Sequence, residues 1–368
     1  MSKSAQLVFI CGNLYPYNLG GAEVFNHYLM RSFAAETTLS AINTKTDKKE
    51  DGIGHIKIAP SFLEVLLFPL LTALKLVGMR RRGKLHLVLT FSRSRWIYWV
   101  IYPLLRNLFG IHYSIIIHGG GLMKWKFEAP FQWLFNRADH VIGISERITQ
   151  EYADRTGLAV KFIPPLIPFT LSKKPKETCR ETLGIDPRSK VVLMVGSLKP
   201  LKHPETSIDA FSKLGSTFLK TENLLLLFAG DGADRPALEK QAVDLGIQNH
   251  VRFLGNVPRE EVKHVYRASD FYVMASDFEG TPLSMLEAMA NNLPVLASNA
   301  PGINTIVENG KNGLLFTIGN GNELAEHLKT ALSDGELSQT LTNNAKGTLA
   351  ERYDHGQMLE RYRKLWDL

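Results

Sequence analysis

The sequence predicts an α/β fold, arranged as two doubly wound domains in one chain. Three observations carry that expectation. Short apolar runs alternate with longer amphipathic ones, a proline-rich break interrupts them near the middle, and the alternation then restarts. A chain of 368 residues also exceeds the usual size of one hydrophobic core.

In the first half, 6–11, 85–90, 112–117 and 140–144 read as strands, each an apolar run closed by Gly, Asn, Ser or His. Between them, 22–35, 96–109 and 146–156 read as helices, so a parallel sheet covered on both faces is expected. The break is Ile163-Pro164-Pro165-Leu166-Ile167-Pro168, followed by Lys173-Lys174-Pro175-Lys176. Prolines fix φ and remove donors, which suits a linker. Beyond it, 191–195, 224–229, 251–254, 271–274 and 294–297 read as strands, and 204–214, 234–245 and 282–289 as helices. The expected division is a first domain over 1–165, a second over 166–350, and an amphipathic closing helix over 351–368 that returns to the first domain. Ligands of open α/β sheets sit beyond the carboxyl ends of the strands, so the two domains are expected to face each other across a cleft.

Composition excludes several classes. Hydrophobic residues at 45% and charged residues at 21% describe a globular chain, not a disordered one. The two cysteines, Cys11 and Cys179, lie far apart without metal-ligand spacing and read as thiols of a reducing compartment. Leu7-Val8-Phe9-Ile10 is too short for the apolar core of a secretory leader and fits a buried first strand. The run 65–74 contains Pro69 and falls short of the roughly 20 residues of a spanning helix. A cytoplasmic place is expected.

Charge is uneven. Residues 1–165 hold 20 Lys+Arg against 11 Asp+Glu, whereas 166–368 hold 23 against 25. Within 75–137 eleven cations, from Lys75 and Arg80 to Arg137, face one anion, Glu128, with Trp96, Tyr98, Trp99, Trp125 and Phe127 among them. Such interleaving suits an anionic bilayer surface, at about 1 kcal/mol per cation; it also describes a solvated face over core aromatics. Peripheral contact with the inner face of a membrane is therefore expected, and no nucleic acid, because no nucleic-acid-binding motif accompanies the charge.

The strongest local signal is Asp277-Phe278-Glu279-Gly280-Thr281-Pro282-Leu283-Ser284-Met285-Leu286-Glu287-Ala288-Met289-Ala290. It follows the strand at 271–274. Thr281 suits an N-cap and Pro282 a first helical position, which puts Glu279 in the loop and Glu287 inside the helix. The amides of Leu283 and Ser284 would then point where a phosphate could bind. Two glutamates eight apart also occur by chance on surface helices.

That stretch, with Asn291-Asn292-Leu293-Pro294-Val295-Leu296-Ala297-Ser298 and Gly310-Lys311-Asn312-Gly313-Leu314-Leu315-Phe316, resembles the family 4 (group 1) retaining glycosyltransferases. Upstream, 195–203 resembles the family's G-R-L-x-x-x-K-G loop, Phe228-Ala229-Gly230-Asp231-Gly232 its glycine turn, and 251–257 its V-x-F-x-G-x-V strand. Asn18-Leu19-Gly20-Gly21-Ala22-Glu23 looks like its N-terminal glycine loop. The match covers most of the chain in the right order, most specifically over 190–316.

The resemblance implies the GT-B fold, two Rossmann-like domains with an acceptor on the first and a nucleotide sugar, taken as a UDP-sugar, on the second. It implies a hexosyl transfer in cell-envelope polysaccharide or glycolipid synthesis, such as that of lipopolysaccharide, onto a saccharide or lipid-linked saccharide. His118, Lys202 and Glu279 would be catalytic. Gly20, Gly21, Gly196, Lys202, Asn256, Thr281, Leu283, Ser284 and Glu287 would bind the nucleotide sugar. A histidine at the end of a strand could equally be structural. No Asp-x-Asp pair suits a bridging cation, so no metal and no cofactor is expected.

Departures from the pattern matter. Ser197 stands where the family usually has arginine, which removes one phosphate cation. Thr281-Pro282 replaces the commoner Phe-Gly, Asn292 a glycine, and Thr305 a frequent acidic residue. The missing arginine keeps open a non-catalytic GT-B homologue acting as a binding or scaffold subunit. A dinucleotide-dependent oxidoreductase fits poorly, because seven residues separate Gly12 from Gly20 where G-x-G-x-x-G is needed.

Overall fold

A computed structural model describes residues 6–10, 21–35, 37–43, 53–57, 64–80, 85–91, 98–118, 128–166 and 169–368. Two compact units result, one from Met1–Pro168 with Tyr353–Leu368, the other from Phe169–Arg352. In chain order the first unit contains β1 (Gln6–Ile10), α1 (Gly21–Phe33), β2 (Thr38–Asn43), β3 (Gly54–Lys57), α2 (Glu64–Arg80), β4 (Leu85–Phe91), α3 (Tyr98–Phe109), β5 (His112–Ile117), α4 (Glu128–Asn136), β6 (His140–Gly143), α5 (Glu146–Thr156) and β7 (Val160–Phe162). The second contains α6 (Lys176–Thr182), β8 (Lys190–Val195), α7 (Pro204–Leu214), α8 (Ser216–Thr221), β9 (Leu224–Ala229), α9 (Arg235–Asp244), β10 (Val251–Phe253), α10 (Arg259–Ala268), β11 (Phe271–Met274), α11 (Leu283–Ala290), β12 (Val295–Ser298), β13 (Leu314–Phe316), α12 (Gly321–Ser333) and α13 (Gly335–Arg352). A last helix, α14 (His355–Trp366), belongs to the first unit.

The first sheet runs β3-β2-β1-β4-β5-β6-β7, all parallel. Its central strands are buried on both faces, and side chains alternate between two cores. Val8, Leu87, Leu89 and Ile115 pack with Leu76 of α2, Tyr102 and Leu105 of α3, and Phe131 and Phe135 of α4. Leu7, Phe9, Val88 and Ile116 face the other way, toward Phe25 and Leu29 of α1 and Met358, Tyr362 and Trp366 of α14. Trp366 closes that side. Its indole donates to Ser114 Oγ (3.2 Å), which also meets His86 Nε2 (2.8 Å). Burial pushes the His86 imidazole down to a pKa of about 4.

The closing helix begins at His355, because α13 extends to Arg352 and Asp354 then caps α14 by accepting the Gln357 amide at 2.8 Å. Strands β2, β3 and β7 and helices α2 and α4 have no counterpart in the sequence reading. Pro69 inside α2 and the polar residues of Thr38–Asn43 blur the expected periods. Among the described residues, no helix is long and apolar enough to cross a membrane.

The second sheet has the order β10-β9-β8-β11-β12-β13, again parallel. Successive strands are added outward from β8 to β10, and then β11 returns to the other side of β8. The neighbours β8 and β11 mark the point where winding reverses.

Candidate active site

Lys202 and Glu279 sit on the loops that leave β8 and β11 at their carboxyl ends, where an open α/β sheet binds its ligands. After β8 the chain passes Gly196 and makes a short 3-10 turn at Pro200–Lys202. His203 then enters α7 with φ 44°. Gly230 after β9 makes room for this loop, since a Cβ there would stand 1.9 Å from the Gly196 carbonyl oxygen. The Asp277 amide donates to Leu201 O at 3.0 Å and ties the two loops together.

Lys202 Nζ lies 2.5 Å from Glu279 Oε1, and Ser276 Oγ donates to the same oxygen at 2.8 Å. Both bonds fall on Oε1. Glu279 is only 9% exposed, so its charge depends on these partners. The turn at Pro301 and Gly302 fixes its backbone from behind. The Glu279 amide donates to Pro301 O (3.0 Å), and a Cβ on Gly302 (φ 89°) would stand 1.8 Å from Glu279 O.

Glu287 is buried inside α11. Its carboxylate pairs with Arg259 at the start of α10 and accepts from the Tyr266 hydroxyl at 2.9 Å. Arg259 and Tyr266 are seven residues apart and so share one face of α10. Tyr272 on β11 donates to Ser284 Oγ at 2.8 Å. Burial holds both phenols well above the usual tyrosine range, so they act as donors.

The helix start differs from expectation. Pro282, not Thr281, is the cap, without a side-chain bond, and α11 begins at Leu283. A tight turn closes first, with the Leu283 amide donating to Thr281 O at 2.9 Å. Of the two amides expected to face a phosphate, that of Leu283 is thus committed and that of Ser284 stands at the helix start. Asn292 takes φ 62°, the left-handed backbone for which asparagine substitutes for glycine.

His118 lies in the first unit, at the end of β5. Its Nε2 is 3.1 Å from Asn26 Oδ1, Asn26 Nδ2 donates to Thr90 Oγ1 at 3.0 Å, and its ring packs edge-on against Phe25. The direction of the chain assigns the proton to Nε2 and leaves Nδ1 a bare, enclosed acceptor. Burial lowers the imidazole pKa to about 3, so the ring is neutral. Gly21 is the first residue of α1, whereas Gly20 and Cys11 lie outside the described residues. Asn256 is exposed in the turn after β10.

Sequence reasoning missed Ser276, Arg259, Tyr266, Tyr272, His203, Asp277 and Gly302. Only the Pro301-Gly302 pair and the serine three residues before Glu279 gave a local signal; the others act across the fold. A cavity of about 500 Å³ opens where the strands of the first unit begin, lined by His86, His112, Asp139, His140 and Trp366. None of the motif residues lines it. Among the described residues, no group of three or more His, Cys, Asp or Glu side chains is arranged to hold a metal ion.

Two parallel α/β units, with the charged pair at the switch point of the second, define the GT-B class. Residues 175–348 match the family described as glycosyl transferases group 1. An uncharacterized glycosyltransferase of Methanocaldococcus jannaschii is 33% identical over 185 residues, 50% of this chain and 46% of that protein. A D-inositol 3-phosphate glycosyltransferase of Corynebacterium jeikeium is 32% identical over 217 residues, 56% of this chain and 52% of its own. The chain thus spans about half the length of the curated relatives it matches. The solved structure of Anabaena HepE in complex with UDP and glucose shares the fold, with TM-score 0.77 and 19% identity over 99% of this chain and 100% of that one.

Proposed function

We propose that the chain is a retaining glycosyltransferase of hexosyl type. It takes its sugar from a UDP-sugar and passes it to a saccharide or lipid-linked saccharide acceptor in cell-envelope polysaccharide or glycolipid synthesis. The observation that carries this reading is the Lys202–Glu279 pair at the β8–β11 switch point, with Glu287 on the helix that follows.

When the bond between the anomeric carbon and the diphosphate oxygen breaks, negative charge develops on the diphosphate. An ammonium at about 4 Å offsets it by about 4 kcal/mol at an effective dielectric of 20. A helix terminus gives about 0.3–1 kcal/mol. Lys202 therefore ranks above the amides of α11, and with it no divalent cation is required. Glu279 Oε2 accepts from hydroxyls of the transferred sugar, and Glu287 from those of the ribose. The bare Nδ1 of His118 suits a sugar hydroxyl better than a phosphate oxygen, because it can only accept. The HepE complex, which holds UDP and glucose, supports the choice of donor class.

The acceptor is assigned to the first unit, at a membrane surface. Leu71 and Leu74 on α2 and Leu104, Leu108 and Phe109 on α3 are exposed, and Arg80 closes α2, with Arg81, Arg82 and Lys84 next in the sequence. Apolar side chains beside cations match an anionic bilayer. Flotation with vesicles containing an anionic phospholipid should carry the protein upward, and Leu74→Glu with Leu108→Glu should abolish it; no flotation of the unaltered chain removes the membrane part.

Ser197, in place of the family's arginine, favours a second reading as a non-catalytic binding or scaffold subunit. Incubation with UDP-, GDP- and ADP-sugars, read by mass spectrometry, separates the two. Nucleoside diphosphate release supports the enzyme, binding without release supports the scaffold, and no binding of any donor sinks both.

A further inference from the structure

We infer that His203 is a positioning residue, a doubly hydrogen-bonded imidazolium that fastens the Lys202 loop onto the Glu279 loop, so that donor binding weakens when the ring loses its proton. This rests on the donor site proposed above. His203 ends the 3-10 turn in left-handed backbone, φ 44°, at the position where the resembling family carries glycine. A side chain disfavours that conformation, so other contacts must hold it there.

Those contacts are two carboxylates. Nδ1 lies 2.6 Å from Glu205 Oε1 in the first turn of α7, and Nε2 lies 2.7 Å from Asp277 Oδ1 in the loop after β11. Ionised carboxylates only accept, so two such contacts need a proton on each ring nitrogen, and the ring is a cation. Burial opposes the charge, but the bonds to Asp277 and Glu205 outweigh it and raise the pKa above the usual histidine value. Glu205 and Asp277 are the charged groups that face the ring from α7 and from the β11 loop, while the neighbouring Lys202 is turned to Glu279.

Three links join the two loops: the Asp277 amide to Leu201 O, Lys202 to Glu279, and His203 to Asp277. A diphosphate that draws Lys202 away from Glu279 removes the second. The His203 link then keeps the loop docked with its lysine in place. A neutral ring keeps one N–H bond and turns a lone pair toward the other carboxylate.

The test compares the unaltered protein with His203→Gly, which suits the backbone, and His203→Gln, which keeps bulk without charge. Thermal midpoints and UDP affinity are measured from pH 5.5 to 9. The folded-state pKa is raised, so the stabilisation is present below about 6.5 and is lost as pH rises through the folded value. The midpoint difference between the unaltered protein and His203→Gly should shrink over that interval, and the ratio of their UDP affinities should fall about tenfold, one charge-assisted bond. Taking the ratio cancels the titration of UDP itself. His203→Gln should match the unaltered protein at high pH throughout. A midpoint difference that does not change with pH overturns the clamp. A changing midpoint difference with a flat affinity ratio overturns its link to the donor site. If UDP binds none of the proteins at any pH, the donor-site reading itself fails, while the midpoints still judge the clamp.

Discussion

Lys202 and Glu279, 77 residues apart in the chain, share an ion pair at 2.5 Å on the carboxylate oxygen that Ser276 also holds. Each is the other's main compensation at a site where Glu279 is almost wholly buried. Lys202→Met or Glu279→Gln alone is expected to cost about 2 kcal/mol of stability in the second unit, and the double variant less than the sum. Activity should not follow that recovery. Each single variant should lower kcat by about 10²-fold, and the double variant should stay low. Calorimetry and nucleoside diphosphate release check the two halves.

Glu287 is expected to separate from Glu279 in its effects. Glu287→Ala should weaken UDP binding by about tenfold, one hydrogen bond to a charged group, and should also remove the ion pair between Glu287 and Arg259. Glu279→Ala should chiefly lower transfer. Titration calorimetry with UDP beside a transfer assay decides this; equal and negligible effects would contradict the assigned roles.

The sequence made the division of labour along the chain legible, because parallel strands buried on both faces stand out as apolar runs. Phe271–Met274 and Leu224–Ala229 coincide with their observed bounds for that reason. The acidic pair at 279 and 287 was equally visible, since it follows a strand and brackets a proline. Its partners were not. Arg259 and Tyr266 reach Glu287 from a different helix, and a tyrosine donor has no periodicity of its own. His203 replaces a motif glycine, and its contribution depends on Asp277, 74 positions away. The start of α11 moved by one residue because the Leu283 amide closes a turn on Thr281 O around Pro282 before the helical ladder begins.

Gly302→Ala tests the support behind Glu279. The added methyl would collide with backbone, which cannot swing aside as a side chain would, and φ 89° is strained for alanine. A loss of about 2–3 kcal/mol is expected, with a thermal midpoint several degrees lower and weaker sugar-nucleotide binding. An unchanged midpoint would show that the turn is not rigid.

Acid should affect the first unit through His86 and His118. Both are held neutral by burial, with pKa values of about 4 and about 3, against the usual 6.5. Between those limits the unfolded chain binds more protons, so their contribution is full above pH 6.5 and declines as pH falls toward 4. Scanning calorimetry from pH 7 to 4 should lower the first unit's transition, and His118→Asn should reduce the slope. The ring signals of both residues should not titrate above pH 5 in proton NMR.

One of the two helices that cover the second face of the first sheet, α14, comes from His355–Trp366, after the whole of the other unit. On the ribosome, that order sets a schedule. Residues 6–166 leave the exit tunnel with Phe9, Phe33 and Ser114 still waiting for Trp366, some 200 residues of synthesis away, or roughly 10–40 s. Phe169–Arg352 is continuous and can condense meanwhile. The nascent first unit must therefore wait with one apolar flank open, which makes it the natural client of a holding chaperone and the point at which truncated translation products would aggregate.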